Sequence, residues 1–331
     1  MELYPLKFEP ILKSVLWGGK KICKFKRLDC VLEDVGESWE LSNMPGAVSV
    51  VSNGELKGTS LSEIMETQGE ALVGKAVFAK FGKMFPLLVK FIDAESDLSI
   101  QVHPDDEMAA TRHQCYGKTE MWYVIDAKPG SKLISGFTRD LTPEEYSTRI
   151  AENSIEEVLH TFKPSIGDVF FIPSGRVHAL GAGLFVAEIQ QSSDITYRLY
   201  DYNRTDALGN LRELHTELAK DTLQYRNNDN GLVQYEHESN GVSPLVSCNY
   251  FTTNHIHIKD SQGGLEIERD YSTLDSFVIY LCMKGEGQVS IGEQTLSMRQ
   301  GETLLLPSTV DGALLHSTVE FLLLETYILM E

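Results

Sequence analysis

Short apolar runs broken by Gly, Asn and Pro fill the first sixty residues, as in "VLWGGK" and "ESWELSNMPGAVSVVSNGELKG". These are strand-and-turn signals. The pattern then lengthens in "TSLSEIMETQGEALVGKAVFAKFG". Leu61, Ile64, Met65 and Leu72 recur at near-helical spacing after a capping Ser60 or Ser62, which predicts helix over about 60–82. Period-two runs return in "FPLLVKFIDA", "LSIQVH", "EMWYVIDA" and "SKLISGF". Residues 139–162 read as helix from the start signal "TPEE" onward, and "LRELHTELAKDTL" predicts a further helix at about 211–223. The remainder reads as strand.

An internal repeat organises these elements. "KPSIGDVFFIPSGRVHALGAG" (163–183) parallels "LSMRQGETLLLPSTVDGALLH" (296–316), with Gly167 on Gly301 and Pro173 on Pro307. Upstream, "EMWYVIDAKPGSKLISG" parallels "SFVIYLCMKGEGQVSIG", with Gly136 on Gly292. The offset falls from 156 to 134 residues between these two matches, about the length of the helical segment 139–162, which reads as an insertion in the first copy. Repeated strands with glycine turns and a Gly–x–apolar–Pro tail describe small antiparallel double-sheet barrels. The expected fold is mainly β: two cupin or jelly-roll barrels with helical insertions. The boundary is expected between an N-terminal unit, 1–240, and a C-terminal unit, 241–331.

The 331 residues are 42% hydrophobic and 23% charged, sufficient for a substantial core. A net charge of −19 argues against nucleic acid and anionic membranes as partners, and requires local cations wherever an anionic substrate binds. Five cysteines without a CxxC read as reduced thiols, with Cys23 and Cys30 unpaired. The opening "MELYPLKFEP" has no apolar signal region and no run approaches 18 apolar residues, so a cytoplasmic protein is expected.

The candidate chemistry begins in "SIQVHPDDE", where Gln101 and His103 share one face of a strand. Glu120 opens "EMWYVI", and His178 follows "DVFFIPSGRV". Two imidazoles, one carboxylate and one amide on three strands of a barrel wall suit zinc with an open position, and would also hold iron, manganese or cobalt. In the second copy Glu120 corresponds to Ser276 and His178 to Gly312. A constellation kept in one barrel and lost in the other is not needed for the fold, so only the N-terminal barrel is expected to carry a metal site. Lys118, two residues before Glu120, falls on the same side of its strand. His255 and His257 in "HIHI" lack a matching carboxylate and read as surface or cross-strand residues.

Together "LKSVLWGG", "FPLLVKFIDAESDLSIQVHPDD", "GKTEMWYVIDA", "GDVFFIPSGRVHALGAG" and "VAEIQQSSDITYRLYDYNR" resemble the type I mannose-6-phosphate isomerases in their short bacterial form. The resemblance spans most of the chain. It implies a zinc-dependent isomerase of cupin fold that interconverts mannose 6-phosphate and fructose 6-phosphate through an enediol. It places metal ligands at Gln101, His103, Glu120 and His178, and the active-site arginine at Arg198. Lys90 and Lys118 become pocket lysines, and Glu188 and Asp194 an acidic pair near the arginine. Trp17 is either a pocket wall among the substrate contacts or packing between the barrels. Arg204 reads as a solvated turn charge or a phosphate contact. Longer relatives carry a histidine where this chain has Gly117. The expected partner is a small sugar phosphate, with the chain a monomer or homodimer. An Fe(II) cupin oxygenase using His103, Glu120 and His178, or a non-catalytic sugar-phosphate-binding cupin, are the alternative readings, and Gln101 and the pocket cations speak against the first.

Overall fold

The computed structural model describes residues 2–205, 209–227, 229–259 and 263–330. The chain opens with β1 (Ile11–Gly19), α1 (Lys21–Lys26), β2 (Val35–Leu41) and the small pair β3 (Asn43–Met44) and β4 (Ala47–Val48). Then follow α2 (Leu61–Val73), α3 (Lys75–Phe81), β5 (Leu87–Ala94), β6 (Ile100–Val102), α4 (Asp106–His113), β7 (Glu120–Ala127) and β8 (Leu133–Phe137). Next are α5 (Pro143–Ala151), β9 (Leu159–Phe162), β10 (Val169–Ile172), β11 (His178–Leu180), β12 (Leu184–Gln191), β13 (Tyr197–Tyr200), α6 (Thr216–Thr222) and β14 (Leu232–Val233). The last strands are β15 (Gly241–Ser247), β16 (Thr252–Ile258), β17 (Leu265–Asp270) and β18 (Val278–Ile291). They close with β19 (Gln294–Arg299), β20 (Thr303–Leu306), β21 (Gly312–Ser317) and β22 (Phe321–Tyr327).

The repeat is visible in the strand order. A seven-stranded sheet β1-β2-β5-β12-β7-β10-β14 faces a five-stranded sheet β13-β6-β11-β8-β9. In the second half β15-β16-β22-β18 with β20, and β17-β21-β18-β19, run the same two orders. There β18 is long enough to serve both sheets, where the first copy breaks into β7 and β8 at the Pro129–Gly130 turn.

Alternation decides which residues fill each layer. Along β7, Trp122 and Val124 point between the two N-terminal sheets, while Met121 and Tyr123 point outward. Along β18, Tyr280 and Cys282 point inward and Ile279, Leu281 and Met283 outward. The two outward faces meet in one shared core, which explains why every residue of β5 and β12 and the first half of β18 is buried on both faces. Phe85 against Phe277, with ring centres 4.7 Å apart, belongs to that core. Truncating such a ring to Ala costs about 3–5 kcal/mol. Polar groups fasten the same junction. Asp275 accepts from the Lys75 and Ala76 amides at the start of α3, and the buried Lys26–Glu40 pair (2.6 Å) reaches the backbone of Gly301.

Several expectations change. The helix expected over 60–82 is broken at Gly74, whose φ of +91° a β-carbon disfavours, although its Ser60–Glu63 capping box forms. Of 139–162, only 143–151 is α-helix. A 3₁₀ turn follows, and 159–162 is strand β9, paired to β8. The helix expected over 211–223 is confined to 216–222. Two helices were not anticipated: α1 is only six residues long, too short for a period to show, and α4 is mostly polar behind its Asp105 cap. Cys23 and Cys30 are not separate thiols but a disulfide with Cα atoms 5.9 Å apart. The left-handed Arg27 at the end of α1 turns the chain back and brings them together. Cys115, Cys248 and Cys282 are free, as expected.

Candidate active site

Two rows of side chains face each other between the N-terminal sheets. Across the five-stranded sheet, Arg198, Gln101 and His178 are register neighbours on β13, β6 and β11. Across the seven-stranded sheet, Lys90, Glu188 and Trp122 align on β5, β12 and β7. Glu120 enters at the start of β7, and His103 one residue past β6. The ligand set therefore comes from both facing sheets, not from a single wall.

At the centre, His103 Nε2 is 3.1 Å from His178 Nε2, 3.5 Å from Glu120, and His178 Nε2 is 3.4 Å from the other Glu120 oxygen. The Gln101 amide lies 3.3 Å from His178 Nε2. All three ionisable groups are buried. The imidazole orientations follow from the opposite ring nitrogens: His103 Nδ1 donates to the Ile195 carbonyl (2.8 Å) and His178 Nδ1 to the Arg176 carbonyl (2.9 Å). Each therefore turns an Nε2 lone pair inward, that of His178 facing the Gln101 amide as well. Two lone pairs at 3.1 Å repel unless a cation lies between them. Neither Glu120 oxygen has a well-directed hydrogen bond, although Lys118 Nζ stands 3.2 Å from one of them. Tetrahedral ligands at about 2.0–2.2 Å from an ion stand roughly 3.3–3.5 Å apart, so this donor set fits a divalent metal.

The electrostatics agree. Burial holds the His178 imidazole down to about 3 and His103 well below its ordinary value, so both stay neutral, the form that ligates. Burial pushes Glu120 up to about 7, against the pull of Lys118. Glu188 goes the other way: its burial is outweighed by Lys90, Lys118 and the Trp122 indole, which donates at 2.8 Å. Burial alone would lower the Lys90 ammonium, but Glu37, Glu188 and Asp194 together hold it high.

In front of this cluster lies a cavity of about 230 Å³, with Lys90, Lys118, Glu188, Asp194, Arg198, Gln101 and Trp17 all on its wall. Every residue expected in the pocket is thus brought together. Trp17 belongs to the interior of the N-terminal unit and does not pack between the two units. Arg204 is absent from this wall; it is half-buried and pairs with the buried Asp201, so it is neither a cavity contact nor a freely solvated charge. Gly117 has no room for a side chain: a β-carbon would stand 2.5 Å from the Asp105 backbone, so no imidazole fits there. Sequence reasoning missed Glu37, Ser99, Thr196 and Arg212. Glu37 was legible as the β2 neighbour of Trp39 on the same face. Arg212 lies in a loop without periodicity, and only the fold brings it beside Arg198. Elsewhere, His255 and His257 are buried on the outer face of β16, not on the surface, and Glu320 supplies the carboxylate that was missing: its Oε1 is 3.3 Å from His257.

A double-sheet β-protein with a buried two-histidine, one-glutamate centre beneath a cationic cavity is a metal-competent cupin. Residues 6–130 match the phosphomannose isomerase type I catalytic domain and residues 242–324 the mannose-6-phosphate isomerase cupin domain. The mannose-6-phosphate isomerase ManA of Bacillus subtilis is 36% identical over 93% of this chain and 94% of its own. That of Streptococcus mutans is 34% identical over 92% and 93%. The crystal structure of the Bacillus subtilis mannose 6-phosphate isomerase superposes with a TM-score of 0.87 at 32% identity, covering 98% of this chain and all of the other. The chain belongs to the type I mannose-6-phosphate isomerase family.

Proposed function

We propose that the chain interconverts D-mannose 6-phosphate and D-fructose 6-phosphate through an enediol, with one Zn²⁺ held by Gln101, His103, Glu120 and His178 in the N-terminal unit, 1–240. The observation that carries this reading is the pair of Nε2 lone pairs facing an unsatisfied buried carboxylate. When bound, the ion polarises the sugar oxygens and lowers the cost of negative charge on them. The remaining work falls to this chain's own groups.

Moving a carbonyl from C1 to C2 requires a proton to leave C2 and another to reach C1. Among the cavity carboxylates, Glu188 or Asp194 would accept the C2 proton and return it to C1, while Lys118 would give a proton to O1 and take one back from the O2 hydroxyl. Among the described residues Arg198 has no carboxylate partner in an ion pair; it donates to the Glu213 carbonyl (2.8 Å) and to the Ser99 hydroxyl (3.3 Å), leaving its charge for the developing enediolate. Burial, with Arg212 close by, holds the Arg198 guanidinium below its ordinary value, and two guanidinium groups on one cavity wall favour a dianionic phosphate on a chain of −19. Lys90 and Trp17 form the floor and wall.

We place the protein in the cytoplasm as a monomer or homodimer acting on a free sugar phosphate, without nucleic-acid or membrane partners. In support, no helix among the described residues is long and apolar enough to cross a membrane. Light scattering measures the oligomeric state.

The test is a coupled assay for fructose 6-phosphate from mannose 6-phosphate, before and after chelation and return of zinc. Loss and recovery of turnover support both the reaction and the ion. No turnover with any divalent metal overturns the isomerase reading in favour of a binding protein.

A further inference from the structure

A second cluster of histidines lies between the two halves of the molecule, apart from the cavity above. His255 and His257 project from β16 toward Tyr123 of β7, and His237 approaches from the segment joining β14 to β15. The ring centres are 4.7 Å (His237–His255), 5.1 Å (His237–His257) and 5.9 Å (His255–His257) apart. Three imidazoles bound through nitrogen at about 2.0–2.1 Å to one tetrahedral ion hold their ring centres roughly 5.2 Å apart. The observed spacings bracket that value.

The polar atoms are unsatisfied in the way a ligand site requires. His255 is fully buried, and neither of its ring nitrogens has a hydrogen-bond partner; His257 Nδ1 is likewise without one. Glu320 places Oε1 at 3.3 Å from His257 Nε2 and Oε2 at 2.8 Å from Lys284. His237, His257, Glu320, Tyr123 and Tyr235 line a cavity of about 350 Å³. Leaving both nitrogens of a buried neutral imidazole idle is costly unless a ligand engages them.

We infer that His237, His255, His257 and Glu320 form a second binding site, for a divalent transition-metal ion of the zinc, nickel or copper class that imidazole prefers. Among the described residues, only His103, Glu120 and His178 have ligand atoms already within 4.8 Å of one another. The second set reaches that state by turning its rings. Rotation about Cβ–Cγ leaves each ring centre nearly in place and exchanges its edges, and no hydrogen bond opposes it at His255. Filled, the site ties the connecting segment to β16 and to the turn before β22. It is a clamp at the junction of the halves and takes no part in the isomerisation.

The experiment uses the full chain without a histidine tag, stripped by chelation, titrated with Zn²⁺ and separately Ni²⁺, and analysed for bound metal after gel filtration. The wild type retains about two ions per chain. His237→Ala, an exposed position, and Glu320→Gln each retain about one, with kcat unchanged and the second ion's share of the metal-dependent rise in Tm lost. His178→Gln also retains about one, and adding His237→Ala removes it. Metal content and Tm shift that both His237→Ala and Glu320→Gln leave unchanged overturn the inference. Failure of the catalytic centre looks different, because His178→Gln would then leave the metal content unchanged while His237→Ala still removes an ion.

Discussion

Between β5, β7 and β12 the interior holds Lys90, Glu188 and a Glu120 whose oxygens lack well-directed hydrogen bonds. Between the matching β16, β18 and β22 it holds a Glu325 with every oxygen engaged. Arg269 from β17 donates twice to Glu325, at 2.8 Å each, Asn254 donates at 2.8 Å, and the Tyr271 hydroxyl, itself bonded to Tyr280, closes the set. The two halves share a strand order and both bury a carboxylate. The C-terminal one completes its network internally, and a completed network has nothing left to offer a ligand. The N-terminal one leaves two imidazole lone pairs and a carboxylate facing each other, an arrangement costly to the empty protein and useful only with an ion. Reactivity in this repeat comes from partners withheld, not from a different fold.

The sharpest way to break this comparison is to neutralise one carboxylate and strand the other. Glu120→Gln should lower kcat/KM by about 10³- to 10⁴-fold while leaving the Tm of the metal-free protein unchanged or higher. A large loss of stability in the chelated variant would make Glu120 a structural residue like Glu325. Arg269→Ala should do the reverse. Stranding Glu325 costs about 3–5 kcal/mol in denaturant unfolding, with turnover per folded molecule retained.

A smaller effect lies at the Lys90–Glu188 pair, 3.3 Å apart, where Glu188→Gln should cost about 1.5–3 kcal/mol. Its pH dependence has a definite sign. The folded carboxyl titrates below its ordinary 4.5, so the stabilisation is complete above that value and fades as the pH falls through the folded value. The wild-type and variant Tm curves should therefore run parallel from pH 6 to 8 and converge below about 4.5. Curves that diverge on acidification would reject the pairing. Smallest of all, Arg212→Ala should reduce kcat/KM roughly 10- to 30-fold, mainly through KM for the phosphorylated sugar. An equal loss toward an unphosphorylated substrate would remove Arg212 from phosphate binding.

Much of this was legible before any coordinates, for identifiable reasons. Gly136 on Gly292 and Gly167 on Gly301 mark turns that recur because one strand order recurs. Gln101 and His103 share a face because strands alternate, and Lys118 joins Glu120 for the same reason. What escaped was whatever lacks a period. Helix α4 carries no apolar stripe, Arg212 sits in an aperiodic loop, and Cys23 meets Cys30 only because Arg27 adopts a left-handed turn. His255 and His257 alternate like any strand pair, but their seclusion depends on which outer faces of the two halves are pressed together.

The amino-acid pattern by itself determined the local quantities: strand faces, turn positions, the duplicated plan, and the residue types of the proposed metal centre. Pairing across distant strands was decided in three dimensions, because hydrogen-bond satisfaction belongs to atoms brought together from far along the chain. Glu120 and Glu325 are both glutamates in apolar strands. Only the presence of Arg269, Asn254 and Tyr271 around one, and the want of any such set around the other, separates a structural anchor from a carboxylate free to hold an ion.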